Sequence, residues 1–144
     1  MNKLISKCLM LMLALWSLNA NASDASKHED NYFLELNGEL LADGSQVYMR
    51  YDISLSKDEN KASVKITTWH APISCEGDYE VKKEKKYYTL SFVGRLEDCI
   101  YPSPQFYLLK KDGGIFIKGS PLVYSDMEWL KLKKKQKMGL VRHN

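Results

Sequence analysis

Histidine, cysteine and proline are scarce in this chain of 144 residues, with three, three and four copies. Each scarcity removes a class of chemistry. His28 and His143 sit near the two ends, which leaves His70 as the histidine of the body. A Ser-His-Asp hydrolase needs a nucleophile, a base and an orienting acid held rigidly together. No Gly-x-Ser-x-Gly elbow marks a serine for that work. A zinc site would have to recruit His70, Asp98, Cys75 and Cys99, residues of suitable type but without any closely spaced ligand pair. Glu97 and Asp98 are a pair of acids that could invite a glycosidase reading, but neighbours in a loop are not two carboxyls facing each other across a cleft. The sequence therefore implies no enzyme, no metal and no cofactor. Helical periodicity is also nearly absent, Leu122 to Met127 being the one stretch that suggests a turn of helix.

No apolar run reaches the roughly 20 residues that a membrane-spanning helix requires. The longest, Cys8 to Leu18, has 11 residues. Lys3 and Lys7 precede it, and Asn19-Ala20-Asn21-Ala22 follows with small residues where a signal peptidase reads. This is the three-part layout of an export signal. Cleavage is expected after Ala22, giving a mature chain from Ser23. The short signal favours a bacterial periplasm, with secretion as the other outcome of export.

Export decides how the cysteines are read. Cys8 departs with the signal, and its place at the start of the apolar run after Lys7 does not suit lipid attachment. Cys75 and Cys99 remain as an even pair in an oxidising compartment, so a disulfide is expected between them. Closing a loop of this length contributes roughly 3 to 4 kcal/mol.

Acidic residues are missing after Glu128, whereas Lys131, Lys133, Lys134, Lys135, Lys137 and Arg142 all follow it. The body from 23 to 130 is the reverse, with 18 acidic and 13 basic residues. A basic tail on an acidic body reads either as a solvated terminus or as contact with an anionic partner such as phospholipid headgroups. Nucleic acid does not fit an exported, acidic body.

What the chain does have is strand after strand with period-two alternation. Tyr32, Leu34 and Leu36 alternate with Phe33 and Glu35 before Asn37-Gly38, which is expected to stop the run. Met49, Tyr51, Ile53 and Leu55 alternate with Arg50, Asp52, Ser54 and Ser56. Ala62, Val64 and Ile66 follow the polar loop Lys57 to Asn60. A strand near Gly77 to Val81 leads to a charged tip, Lys82 to Lys86, and then Tyr88, Leu90 and Phe92. Phe106 and Leu108 are joined to Ile115 and Ile117 through Asp112-Gly113, a dipeptide suited to the positive φ of a type I′ turn. Glu128 to Lys133 closes the series, with Leu130 and Leu132 facing inward.

Seven or eight short strands with hairpin connections imply an all-β fold. The expected form is a single antiparallel meander closed into a barrel or half-open barrel, or else a two-sheet sandwich. The domain expectation is a signal over 1–22, a flexible lead over 23–30, the β domain over 31–133 and a basic tail over 134–144. The Cys-Glu-Gly-Asp-Tyr opening at Cys75 and the Gly-Gly-Ile-Phe-Ile-Lys-Gly run at Gly113 resemble small calycin-type barrels, a likeness of fold that implies no activity.

One segment stands out for function. Glu97 to Phe106 begins beside the expected disulfide and is stiffened by Pro102 and Pro104. A stiffened loop loses less entropy on binding, and tyrosine offers contact area with few rotors to freeze. Glu97, Ile100 and Tyr101 are therefore the expected contacts of an exported, non-enzymatic protein-binding module. An inhibitor or immunity-type protein acting on an envelope enzyme fits this description. The alternative is a carrier holding an apolar or sugar-like ligand in an aromatic lumen lined by tyrosines such as Tyr48, Tyr51 and Tyr107. A third possibility makes the basic tail, at Lys133, Lys134, Lys135 and Lys137, the contact of a peripheral membrane protein.

Overall fold

The computed structural model describes residues 29–136; the expected signal, most of the expected lead, and Lys137 and Arg142 lie outside the described residues. The described chain is all-β, built from β1 (Asp30–Leu40), β2 (Gln46–Leu55), β3 (Lys61–Trp69), β4 (Gly77–Lys83), β5 (Tyr88–Phe92), β6 (Phe106–Lys111), β7 (Gly114–Gly119), β8 (Leu130–Lys131) and β9 (Lys133–Lys134). Each strand from β2 to β8 pairs antiparallel with its predecessor, so the sheet is a plain meander.

The sheet nearly closes on itself, and the means of closure is specific. β8 pairs with β7, whereas β9 pairs with β1 at the far edge. Only Leu132 separates them. One bent segment thus fills the gap between the two edges, with the Leu132 amide donating to the Ile115 carbonyl at 2.8 Å and the Lys135 amide to the Asn31 carbonyl at 2.8 Å. The barrel form of the expectation holds, and the sandwich does not.

The alternation read from the sequence is the alternation seen. Met49, Tyr51, Ile53 and Leu55 are buried, as are Ala62, Val64 and Ile66 across the β2–β3 ladder. Tyr32, Leu34, Val81, Leu90, Phe106, Leu108, Ile117 and Leu132 complete the interior. A barrel of about eight strands has an interior just wide enough for its own side chains, and this one uses it. Tyr51, Tyr79 and Phe106 are at most 1% exposed, with Tyr79 meeting Phe92 and Phe106 edge-on at 5.5 Å. The lumen is a packed core, whose side chains fill the space that a carrier's ligand would need. Asp112 (φ 51°) and Gly113 (φ 71°) form the tight β6–β7 turn that their sequence requires.

Three sequence expectations are corrected. Asn37-Gly38 does not end β1; the strand runs on to Leu40 through an irregular register, because the bare Gly38 backbone lies directly under the Tyr124 ring. Leu122 to Met127 is a string of turns rather than helix, and Leu122 turns its side chain into the core. Lys134, expected at the start of the tail, is a strand residue of β9 beside Lys133, so the sheet extends one residue further than expected.

Candidate functional site

A meander sorts its connections by parity. β1, β3, β5 and β7 all run one way, so the segments after them, 41–45, 70–76, 93–105 and 120–129, gather at one end of the barrel. The other end carries the short connections 56–60, 84–87 and 112–113. The two ends differ sharply. All four prolines, Pro72, Pro102, Pro104 and Pro121, are in the long loops. Ten large apolar side chains are exposed among the described residues, and nine of them, all but Tyr87, lie at the loop end. Leu96 is 92% exposed and Ile100 74%.

Two of these loops are tied to each other, and three of the four to the strands beneath. The expected disulfide is present between Cys75 and Cys99 and joins the β3–β4 loop to the β5–β6 loop. Beside it the Cys75 amide donates to the Asp98 carbonyl at 2.8 Å, and the Ile100 amide donates to Ser74 Oγ at 3.4 Å. Gln105 is buried and clamps both ends of its loop. Its Oε1 accepts from the Phe92 amide at 2.8 Å, and its Nε2 donates to the Tyr101 carbonyl at 3.0 Å.

Buried hydroxyls do the same from below. Tyr79 donates to the Cys75 carbonyl, and Tyr51 to the Pro121 carbonyl at 2.7 Å. Burial pushes both phenols well above their ordinary pKa, so both stay donors at any physiological pH. Ser125 Oγ donates to the Leu122 carbonyl at 2.7 Å, which fixes the fourth loop. Four non-glycine residues here, His70, Cys75, Asp126 and Met127, hold positive φ. Each costs of order 1 kcal/mol or more, and such strain persists only where the surroundings over-determine the backbone.

Between the loops lies a groove of about 650 Å³. Met49, Ile73, Tyr101, Val123 and Tyr124 give it an apolar wall, and Ile100, Glu76, Glu97 and Asp98 stand on its lining as well. The carboxylates are partly engaged. Glu76 accepts from the Ile66 amide at 2.6 Å, replacing a ladder bond where β4 has not yet begun. Arg95 reaches Glu97 at 2.9 Å and Asp98 at 3.0 Å. The loop segments together hold Asp43, Glu76, Glu97, Asp98, Asp126 and Glu128 against Arg95 alone.

The residues singled out from sequence thus meet in one place. Glu97, Ile100 and Tyr101 all line the groove, but with different freedoms: Ile100 points to solvent, while Tyr101 is half-buried with its carbonyl tied to Gln105. Sequence reasoning missed Ile73, Leu96, Val123, Tyr124 and Met127. The parity of the meander was the available signal, because it assigns four loops to one end before any side chain is placed. His70 stands apart, its ring edge-on to Trp69 at 4.6 Å, and the sulfurs of Cys75 and Cys99 are consumed by their bond and cannot ligate a metal.

The basic-tail residues behave unlike a free tail. Lys134 pairs with Asp30 at 2.9 Å and Lys135 with Asp52 at 2.9 Å. Lys133 lies 3.8 Å from Glu35 and 5.6 Å above the Phe33 ring, which Arg50 also covers at 4.4 Å.

Comparison with known proteins finds no matching family model, no matching curated protein and no matching solved structure.

Proposed function

We propose that the protein is a non-enzymatic binding module of an exported compartment, and that the loop end of the barrel docks a partner protein. The carrying observation is segregation: nine of the ten exposed large apolar side chains stand at one end of the barrel, seven of them on three of its loops and Leu40 and Trp69 at the strand ends beside them. Exposed apolar side chains gathered in this way at one end of a small domain mark an interaction surface. Pre-fixed loops lower the ordering cost of association, and an anchor such as Ile100 or Leu96 seated in a partner's pocket supplies the concentrated contact that hot spots require. The excess of carboxylates around the groove favours a partner whose facing surface is basic. An inhibitor or immunity-type protein that covers an enzyme of the envelope is the kind of protein this surface suits. The filled lumen counts against the carrier alternative, and a small ligand would have to use the groove instead.

A photo-reactive residue placed at Ile100 tests the reading, with a second at Lys111 on the opposite end as comparison. In cells exporting the protein, a discrete protein adduct is expected from position 100 and none from 111. Adding Leu96→Asp should abolish that adduct while leaving the unfolding midpoint unchanged. Adducts of equal yield from both ends, or none from position 100, would sink the proposal. A small molecule retained by the purified chain and lost on Ile100→Asp would favour the carrier instead.

A further inference from the structure

The tenth exposed large apolar side chain, Tyr87, belongs to the opposite end, and its surroundings are of a different kind. It sits in the β4–β5 hairpin, where Lys82, Lys83, Lys85 and Lys86 are all exposed around the single acid Glu84. The Glu84 amide donates to the Tyr87 carbonyl at 2.8 Å and closes the turn. Tyr87 stacks edge-on against Tyr107 at 5.6 Å, and Lys118 stands 5.6 Å above the Tyr107 ring. Lys57 and Lys61, on the neighbouring hairpin, are exposed as well, with Lys61 directly opposite Glu80 of β4. Among the described residues, none of these six lysines is in an ion pair, in contrast to Lys133, Lys134 and Lys135, which are each within 4 Å of a carboxylate.

The molecule is therefore electrically two-ended. The long loops carry six carboxylates and one arginine. At the opposite end the turns themselves hold Asp58, Glu59, Glu84 and Asp112 against Lys57, Lys85 and Lys86, and the excess of lysine comes from the adjoining strand ends, Lys61, Lys82, Lys83, Lys110 and Lys111, with the β4–β5 hairpin as its densest part.

We infer that the β4–β5 hairpin is a docking surface for an anionic lipid bilayer, which would hold the barrel with its loop end facing away. Four ammonium groups on one rigid hairpin suit a lattice of headgroup phosphates, because lysines act additively as point charges near such a surface. Tyrosine suits the headgroup level, where an apolar ring and a polar hydroxyl are both satisfied. The acidic loop end is repelled by the same surface, so the two ends orient the molecule in one sense. The lysines of the tail do not compete for this role, since the sheet has already engaged three of them. This surface is independent of the partner-binding end.

Vesicle flotation tests it, using the chain from Ser23 onward, which contains every described strand. Vesicles of equal parts phosphatidylcholine and phosphatidylglycerol are compared with vesicles of phosphatidylcholine alone. The protein is expected to float with the first and not with the second, and high salt is expected to release it by screening. Replacing Lys82, Lys83, Lys85 and Lys86 by Ser should lower the partition coefficient at least about tenfold with the unfolding midpoint unchanged. Replacing the same four by Arg should keep binding. A chain ending at Gln136 should float like the longer one. Equal binding to neutral vesicles, full binding by the serine variant, or loss of binding on removing only 137–144 would each overturn the inference. So would competition by inorganic phosphate at concentrations too low to screen, which would mark a phosphate pocket rather than a bilayer surface.

Discussion

At the scale of single residues, the lower mouth of the barrel is closed by an ionic plug. Lys110 reaches Glu59 across the end, and Tyr88 Oη donates to the same carboxylate at 2.9 Å. The hydrogen bond from Lys110, with that from Tyr88, holds the Glu59 carboxyl below its ordinary pKa despite some desolvation. A carboxyl whose folded pKa lies below its unfolded value adds stability above the unfolded value, and that stability fades as pH falls through the folded one. Glu59→Gln should therefore flatten the acid limb of the stability profile, measured as the urea midpoint against pH, relative to the parent chain. Parallel acid limbs would show that the plug contributes nothing there. Glu59 also holds φ at 56°, a conformation that the loop sequence Lys57-Asp58-Glu59-Asn60 permits without demanding. Nothing in the sequence links position 59 to position 110, and only the curvature of the closed sheet brings them together.

At the scale of elements, the disulfide and Gln105 hold the two largest loops as one body. Removing the bond as Cys75→Ala with Cys99→Ala is expected to cost roughly 3 to 4 kcal/mol, read as a lower denaturant midpoint. Proteolysis should then begin within 93–105 before the strands are cut, since the short connections at the other end are independent of the bond. Cleavage starting in 84–87 would contradict this order. The strands were legible because one face of each is wet: Met49 to Leu55 and Ala62 to Ile66 could be paired from alternation alone. The misread pieces are those where a distant contact decides. Asn37-Gly38 has turn chemistry, yet Tyr124 presses on it from a loop far along the chain. Leu122 to Met127 has helical spacing, yet Leu122 is drawn into the core and Ser125 bonds locally. Lys134 has the composition of a tail, yet β1 takes it up at the open edge, where Asp30 pairs with Lys134 and Glu35 with Lys133. The groove was half visible: one loop announced itself by its prolines and cysteine, while its apolar partners Ile73 and Val123 have no local mark.

At the scale of the whole molecule, the segment from Leu130 to Lys134 removes two exposed edges at once, those of β1 and β7. Unpaired edges recruit other chains. A chain ending at Trp129 is expected to self-associate, appearing in sedimentation velocity as species heavier than the monomer; a stable monomer would mean that the edges are protected by other means. The same segment also sets a timetable. Every other pairing in the sheet joins strands adjacent in sequence, which can form early and locally, whereas β1 must wait for residues about a hundred positions later. Loop closure on that span is the least local event in the fold. Chain that emerges N-terminus first presents β1 first and its second neighbour last, so the sheet stays open along one side until residues 133–134 arrive. Its completion belongs to the moment when the final turn of chain comes free.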